Sequence, residues 1–229
     1  MCFAVVAHAL PPENPTQDTA GHESRGRRYR GLSAEERRAD QRRRLVRAAI
    51  DEFAQRGYHR TSVEDIVRSA KTSRTAFYAF FDNREDAMYG ALQTSLRNLL
   101  DTVRHALLNA SPDQNITEVG VQAYVKCLVS DPNAARVILL EGVGTSPEVN
   151  ALRSRMRREI ADLIRDLWAD YDPATASGPH GLPMSVGVFG ILFESMVHLA
   201  ETNRLDDALS LVPALVDAVD RVLTPTPTA

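Results

Sequence analysis

The hydrophobic positions from Ser33 onward recur at intervals of three and four residues, which predicts an all-α protein. Ser33 and Glu36 have the spacing of a capping box, in which each side chain accepts a hydrogen bond from the other residue's backbone N–H. Gly57 is predicted to end the helix as a left-handed residue. The first helix should therefore run from about Ala34 to Arg56. Its buried positions are predicted to be Val46, Ala49, Ile50 and Phe53.

Two short helices are predicted next, separated by the turn Lys71-Thr72-Ser73. Thr61 and Ser62 can cap the first of them, and Ser73 can cap the second, which should span about residues 73–80. Two short helices joined by a three-residue turn form a helix-turn-helix motif.

A longer helix is predicted to begin after Asn83, and further helices follow it. The segment Met184–Asn203 is apolar nearly all round, which in a soluble protein indicates burial on more than one side. The last segment, Leu205–Leu223, keeps a helical period, although Pro213 must either kink it or begin a new helix. The predicted divisions are a disordered basic arm (1–32), a helix-turn-helix domain (33–83) and a second helical domain (84–224).

Length and composition narrow the class of protein. A chain of 229 residues, 44% of them hydrophobic, can bury a core without disulfides or a structural metal. The two cysteines, Cys2 and Cys127, lack zinc-site spacing and fit a reducing compartment. The longest apolar run, Met184–Ala200, is too short to span a bilayer, and residues 1–10 lack the basic start of a secretory signal. We therefore expect a cytoplasmic protein without a membrane partner.

Charge is distributed unevenly along the chain. Residues 1–97 carry 17 basic and 13 acidic side chains, whereas residues 98–229 carry 10 and 17. Within residues 21–47, ten arginines stand against four acidic residues. Such a local excess of positive charge indicates a polyanionic partner, although a solvated surface is the simpler explanation of a charge run taken alone.

A joint pattern of glycine, hydroxyl caps, aromatic pairs and basic residues lies between Ala39 and Ala91. Its elements are Gly57-Tyr58, Thr61-Ser62-Val63, Ile66-Val67, Ala70, Thr72-Ser73-Arg74, Ala76-Phe77-Tyr78 and Phe80-Phe81-Asp82-Asn83-Arg84-Glu85. In this pattern the sequence resembles the DNA-binding region of TetR-type (tetracycline-repressor-like) regulators. It departs from the family at three positions, since Lys71, Ala76 and Phe80 stand where Gly, Thr, and His or Tyr are common.

The resemblance implies that the second short helix is a recognition helix and that the later helices bind a ligand and form a dimer. Arg74 and Thr75 would lie nearest the base edges, and Tyr78 would lie toward phosphate. Two arginines of the arm would enter the adjacent minor groove. The residues implied to contact DNA are Thr61, Ser62, Ser73, Arg74, Thr75, Tyr78, Arg84, Arg28 and Arg30. Phe77 and Phe81 are expected in the core.

The apolar faces of the later helices are expected to converge on a ligand pocket. Its candidate residues are Leu96, Leu99, Val103, Trp168, Phe189, Phe193 and Glu194, with simple core packing as the alternative for each apolar one. A metal or catalytic site at His105, Glu194 and His198 is disfavoured, because Glu194, His198 and Glu201 form a stripe typical of a wetted or interface edge. No cofactor, metal ligand or catalytic residue is predicted, since no motif for one occurs.

The sequence therefore predicts a ligand-responsive transcriptional regulator that is not an enzyme, most simply a repressor that binds a near-palindromic operator on double-stranded DNA. The chain should form a homodimer through Met184–Asn203 and Leu205–Leu223, packed as a four-helix bundle. A small-molecule effector should shift the dimer to a spacing that no longer fits the operator. The alternative is a helical small-molecule-binding protein, or an enzyme without a known motif, whose basic segment serves only solubility.

Overall fold

The computed structural model describes residues 33–170 and 172–223, and every regular element among them is helical. The predicted all-α class is confirmed. The α-helices are α1 (Ala34–Arg56), α2 (Val63–Ser69), α3 (Arg74–Tyr78), α4 (Arg84–Leu108), α5 (Ile116–Ser130), α6 (Pro132–Arg136), α7 (Pro147–Ala169), α8 (Pro173–Ser177), α9 (Gly181–Glu201) and α10 (Val212–Leu223). The arm, with Arg28 and Arg30, lies outside the described residues.

Helix α1 has the predicted bounds, and both of its ends follow from local chemistry. The Ser33 hydroxyl accepts from the Glu36 N–H at 3.0 Å, and the Glu36 carboxylate accepts from the Ser33 N–H, so the capping box is complete. Gly57 ends the helix with φ of 82° but ψ of 153°. The positive φ agrees with the prediction, whereas the extended ψ corrects it, because the left-handed helical region requires ψ near 47°.

The helix-turn-helix consists of α2, the following turn and α3. Ser62 caps α2 through a capping box with Asp65, and Ser73 caps α3 by accepting from the Ala76 N–H. Helix α3 is shorter than predicted, since its last helical residue is Tyr78. Lys71 adopts φ of 50° in the turn, a left-handed conformation that explains why glycine is common at this position in the resembling family.

The core of the N-terminal lobe, which consists of α1, α2, α3 and the first turns of α4, is built around aromatic side chains. Phe53 and Phe77 are fully buried and Phe81 is nearly so, which confirms the expected placement of Phe77 and Phe81. Phe80 is only half-buried, and the Arg38 guanidinium lies 5.1 Å from its ring centroid. Helix α1 packs against both α2 and α4, which fixes the helix-turn-helix on the rest of the chain.

Helix α4 connects this lobe to the remaining helices. Its N-terminal part packs on α1, and the helix also contacts α5 and α7. Because an α-helix rises 1.5 Å per residue, its two ends lie more than 35 Å apart. One rigid element therefore reaches from the helix-turn-helix to the wall of the ligand cavity described below.

The segment after Asp131 is not one continuous α-helix. Asp131 caps α6 and Pro132 occupies its first turn, but from Val137 to Glu141 the hydrogen bonding is π-helical. A π-helix adds one residue to a turn and often marks a functional position. It points the Glu141 side chain toward the N-terminal lobe, with the contacts described below.

The C-terminal helices differ in their bounds from the two predicted dimer segments. Helix α9 spans Gly181–Glu201, and the final segment divides into a 3-10 helix at Leu205–Leu211 and α10. Pro213 therefore lies in the first turn of a new helix and does not kink a continuous one. Within the described residues, α9 alone is long and apolar enough by composition to cross a bilayer, and only 22% of its apolar window is buried within the chain.

Candidate DNA-binding surface and ligand cavity

Helix α3 presents a polar surface on the side opposite its core face. Ser73, Arg74, Thr75 and Tyr78 are all exposed, whereas Phe77 between them is fully buried. The side chain of Tyr78 is 48% exposed, which is high for a tyrosine. The four residues predicted to enter the major groove are therefore all accessible from outside the chain.

Arg74 is held across the helix-turn-helix. Its Nη1 lies 2.5 Å from the Glu64 Oε1 of α2, and its Nη2 donates to the Tyr78 hydroxyl at 3.4 Å. The guanidinium also lies 5.9 Å from the Tyr78 ring centroid. The hydrogen bond to Tyr78 and the charge of Glu64 raise the pKa of Arg74, so the side chain stays charged. Sequence reasoning missed Glu64, whose carboxylate pairs with Arg74 in this structure.

Replacing Glu64 by glutamine is expected to raise DNA affinity by up to about fivefold, because an exposed ion pair contributes at most about 1 kcal/mol and its loss frees Arg74. Fluorescence anisotropy on a labelled duplex measures this change. The control is the same substitution in an Arg74→Ala background, which forms a double-mutant cycle. An equal gain in DNA affinity with and without Arg74 would show that Glu64 acts through its own negative charge and not by holding Arg74.

The position of Thr61 differs from the predicted contact of its hydroxyl with phosphate. Its side chain is only 1% exposed, and its hydroxyl lies within hydrogen-bonding distance of the Glu52 and Gly57 carbonyls at 3.1 and 2.9 Å. Its N–H donates to the Tyr58 carbonyl. Thr61 thus joins α1 to α2 and is neither a helix cap nor free to donate to phosphate. Ser62 is the cap, and its hydroxyl lies 2.5 Å from the Asp65 Oδ2.

Arg84 is also engaged differently from the prediction. Its Nη1 donates to the carbonyls of His59 and Thr61 at 3.3 and 3.0 Å, and its guanidinium stacks 4.3 Å from the Tyr58 ring centroid. The side chain therefore fixes the start of α4 to the turn before α2. This geometry gives Arg84 a positioning role through Nη1, and its contact with phosphate stays a prediction.

A large cavity lies between α4, α5, α7, α9 and α10. Its volume is about 710 Å³, which is within the usual range for a small-molecule site. Leu99, Val103, Trp168 and Phe189 line it, in agreement with the predicted positions. The prediction missed the walls contributed by α5 and α10, including Val121, Tyr124 and Val219. Its apolar lining suits a hydrophobic ligand.

The other three predicted pocket residues lie elsewhere. Leu96 and Phe193 line a smaller adjoining cavity of about 40 Å³. Glu194 lines neither cavity and is exposed on α9, which corrects its placement: the helix turns this side chain away from the converging apolar faces. His198 and Glu201 are exposed as well. Among residues 33–170 and 172–223, no group of three or more His, Cys, Asp or Glu side chains could hold a metal ion.

The larger cavity contains few polar groups. Gln114, Asn115, Thr117 and Asp220 lie at the end near the start of α5. Tyr124 and Trp168 are the aromatic residues with polar side-chain atoms in the wall, and neither side chain forms a hydrogen bond within the described part of the chain. Burial raises the pKa of Tyr124 well above its usual value, so its phenol stays protonated and remains a hydrogen-bond donor.

Two side chains near the π-helical segment connect the N-terminal lobe to the rest of the molecule. The Tyr58 backbone N–H donates to the Glu141 Oε2 at 3.0 Å. Arg136 donates from Nε to the Ala54 carbonyl at 3.2 Å and from Nη1 to the Ala200 carbonyl at 3.5 Å. Its Nη2 lies 3.9 Å from the Glu141 Oε1. The end of α1 is thereby tied to the π-helical segment and to the end of α9.

A second arginine holds the π-helical segment from the other side. The Nη1 of Arg153, on α7, donates to the Ile138 carbonyl at 2.7 Å. Arg153 also lines the smaller cavity, together with Leu96 and Phe193. The segment Val137–Glu141 therefore contacts the cavity wall through Ile138 and the helix-turn-helix lobe through Glu141.

Comparison with known proteins identifies the N-terminal region. Residues 45–87 match the family model for bacterial regulatory proteins of the tetR family. This match runs from the second half of α1 through α2 and α3 to the start of α4, and so includes α3, the helix with the exposed polar residues. The chain therefore carries the DNA-binding domain of TetR-type regulators. It is a DNA-binding transcriptional regulator, in agreement with the resemblance found in the sequence.

Relatives of this regulator extend the likeness over most of the chain. The HTH-type transcriptional activator FasR of Mycolicibacterium smegmatis is 28% identical over 197 residues, 86% of each chain. The fatty acid degradation regulator FadR of Bacillus halodurans has a TM-score of 0.71 at 19% identity, over 82% of this chain and 97% of that one. FadR of Bacillus subtilis, solved in complex with stearoyl-CoA, has a TM-score of 0.70 at 15% identity over 80% and 98%.

Proposed function

We propose that this regulator binds a near-palindromic operator as a homodimer and that a chain-like apolar effector, bound in the larger cavity, changes its affinity for that operator. One observation carries the proposal. Helix α4 connects the lobe that contains the exposed recognition helix α3 to the wall of a large apolar cavity. The DNA partner makes the cytoplasm the proposed location.

The polar face of α3 supports the DNA-binding part of this proposal. Arg74 can donate two hydrogen bonds to a guanine edge, which is the commonest specific contact in the major groove. Thr75 and Ser73 are exposed beside it, and Tyr78 can reach a phosphate. The base-reading residues in this proposal are Ser73, Arg74 and Thr75, and the contacts to the DNA backbone are Tyr78, Ser62, Arg28 and Arg30.

The exposed apolar surface of the C-terminal helices supports the dimer. Leu182 and Val186 of α9 are more than half or half exposed, at 57% and 50%, and Leu209 and Leu211 are exposed on the adjoining 3-10 helix. A methyl group added at Gly187 or Gly190 would meet nothing within 4 Å, so a second helix can approach α9 closely. Covering this surface with the same surface of a second chain gives the two-fold symmetry that a palindromic operator requires.

The cavity supports an effector with a long apolar part. Its walls are mainly leucine, isoleucine, valine and aromatic side chains, and none of the lysines or arginines that the structure describes lines it. The FadR of Bacillus subtilis, which shares the fold, was solved with stearoyl-CoA. We therefore propose an acyl chain as the apolar part of the effector. Whether operator binding represses or activates transcription depends on the position of the operator. An operator that overlaps its promoter gives repression.

Selection from a randomised duplex pool, followed by sequencing of the retained DNA, tests the proposal. We expect a symmetric motif whose half-sites lie one or more helical turns apart. Affinity for this motif should fall with salt on a log–log slope of about −0.9 per phosphate contacted, and stearoyl-CoA should change it. Retention without any motif, or a motif without symmetry, would contradict dimeric operator binding.

A further inference from the structure

The smaller cavity next to the ligand cavity has a positively charged wall. Arg153 and Arg157 lie one turn apart on α7, and both line it. Arg153 is half-buried, while Arg157 is exposed at the rim. Like charges four residues apart on a helix repel each other, so the pair needs a compensating interaction.

The surroundings of Arg153 supply little compensation. It donates to the Ile138 carbonyl, and its guanidinium lies 6.0 Å from the Phe193 ring centroid. Burial and the nearby charge of Arg157 lower its pKa, and no carboxylate in the described part of the chain contributes an opposing effect. A desolvated cation without a counter-ion is unfavourable, which favours an anion at this position.

The two cavities adjoin through a shared wall. Leu99, Tyr124, Ile160 and Phe189 line both of them. Among residues 33–170 and 172–223, no cationic side chain lines the larger cavity, so the arginines of α7 are the positive groups that a molecule lying along both cavities meets. A volume of about 40 Å³ admits a group of roughly carboxylate size, since one water needs about 10–15 Å³ on this measure.

We propose that the smaller cavity is the anion-binding subsite of the effector. The effector is an amphipathic molecule whose apolar chain occupies the larger cavity and whose anionic group, a carboxylate or a phosphate, pairs with Arg153 and Arg157. This inference rests on the proposed function and adds the charge of the ligand. Because Arg153 also holds the Ile138 carbonyl, an anion there acts on the side chain that supports the π-helical segment.

Ligand binding to the full-length protein tests the subsite. Three probes share the same acyl group: dodecanoate, its methyl ester and dodecanoyl-CoA. Isothermal titration calorimetry gives the affinity of each. The variants are Arg153→Gln and Arg157→Gln, and the matched control is Arg158→Gln, an exposed arginine of α7 that lines neither cavity. The Arg157 variant leaves the Arg153–Ile138 hydrogen bond in place, so it separates anion binding from a structural effect.

We expect at least one anionic probe to bind about tenfold more tightly than the ester, since a hydrogen bond to a charged group contributes roughly 1.5 kcal/mol or more. Both cavity variants should abolish this preference and the control should keep it. A preference for dodecanoate indicates a carboxylate, and a preference for dodecanoyl-CoA alone indicates a phosphate. Equal binding of ester and anions, or a preference that survives Arg157→Gln, would overturn the subsite.

The proposed function can fail independently of this subsite. If no probe of any charge changes the affinity for the selected operator, effector control itself is wrong. If the ester acts on operator binding as strongly as the anions, effector control stands and the anion subsite is rejected.

Discussion

Replacing both Arg74 and Tyr78 by alanine is expected to reduce affinity for the selected operator at least a hundredfold, to near that for unrelated DNA. Loss of a base-reading arginine such as Arg74 costs roughly 1–3 kcal/mol, which corresponds to about 5- to 150-fold. Tyr78 also holds Arg74 by a hydrogen bond and by its ring, so its loss leaves the arginine without that support. Fluorescence anisotropy on the operator and on a scrambled duplex measures the ratio of the two affinities.

The control for this pair is Arg158→Ala, which removes an exposed arginine outside the helix-turn-helix. It should leave the ratio of operator to scrambled affinity unchanged. The double variant should remain folded, because both side chains are exposed and the core residue Phe77 is untouched. A double variant that still prefers the operator would show that sequence is read elsewhere on the surface.

Replacing Glu141 by alanine is expected to lower the free energy of unfolding by about 1.5–3 kcal/mol, the range for a hydrogen bond to a charged group. The substitution leaves the Tyr58 N–H without its 3.0 Å acceptor and removes the carboxylate beside Arg136. Because this contact ties the π-helical segment to the N-terminal lobe, the change in operator affinity caused by stearoyl-CoA should also shrink, by about tenfold or more.

Urea denaturation measures the stability change, and operator titrations with and without stearoyl-CoA measure the coupling. Glu141→Gln retains an acceptor for the Tyr58 N–H and should recover most of the coupling. Glu148→Ala, which removes an exposed glutamate in the first turn of α7, is the control. Full coupling in Glu141→Ala would mean that the signal passes through α4 without this contact.

The sequence was sufficient to predict the elements whose stability is local. The bounds of α1 followed from a capping box and a glycine, and the short helices from hydroxyl caps, because these interactions join residues three or four positions apart. Phe77 and Phe81 were placed correctly in the core by periodicity alone. Four of the predicted pocket positions line the large cavity for the same reason.

Contacts between distant segments could not be predicted in this way. Thr61 has the residue type of a cap, yet its hydroxyl lies against carbonyl groups that precede it in the chain. Arg84 has the residue type of a phosphate ligand, yet it holds two carbonyl groups 23 and 25 residues away. Glu141 gives no signal in the sequence, because its partner is a backbone N–H 83 residues earlier.

The π-helical segment makes the connection between the two lobes sensitive to the number of residues as well as to their identity. A π-turn closes hydrogen bonds to the fifth residue along, one more than an α-helical turn. Removing one residue between Val137 and Glu141 would allow the segment to continue α6 as an ordinary helix, and each α-helical residue turns by 100°. The carboxylate that receives the Tyr58 N–H would then face another direction. Deleting one residue within Val137–Glu141 would thus uncouple operator binding from effector binding, although the side chains on either side of the deletion are unchanged.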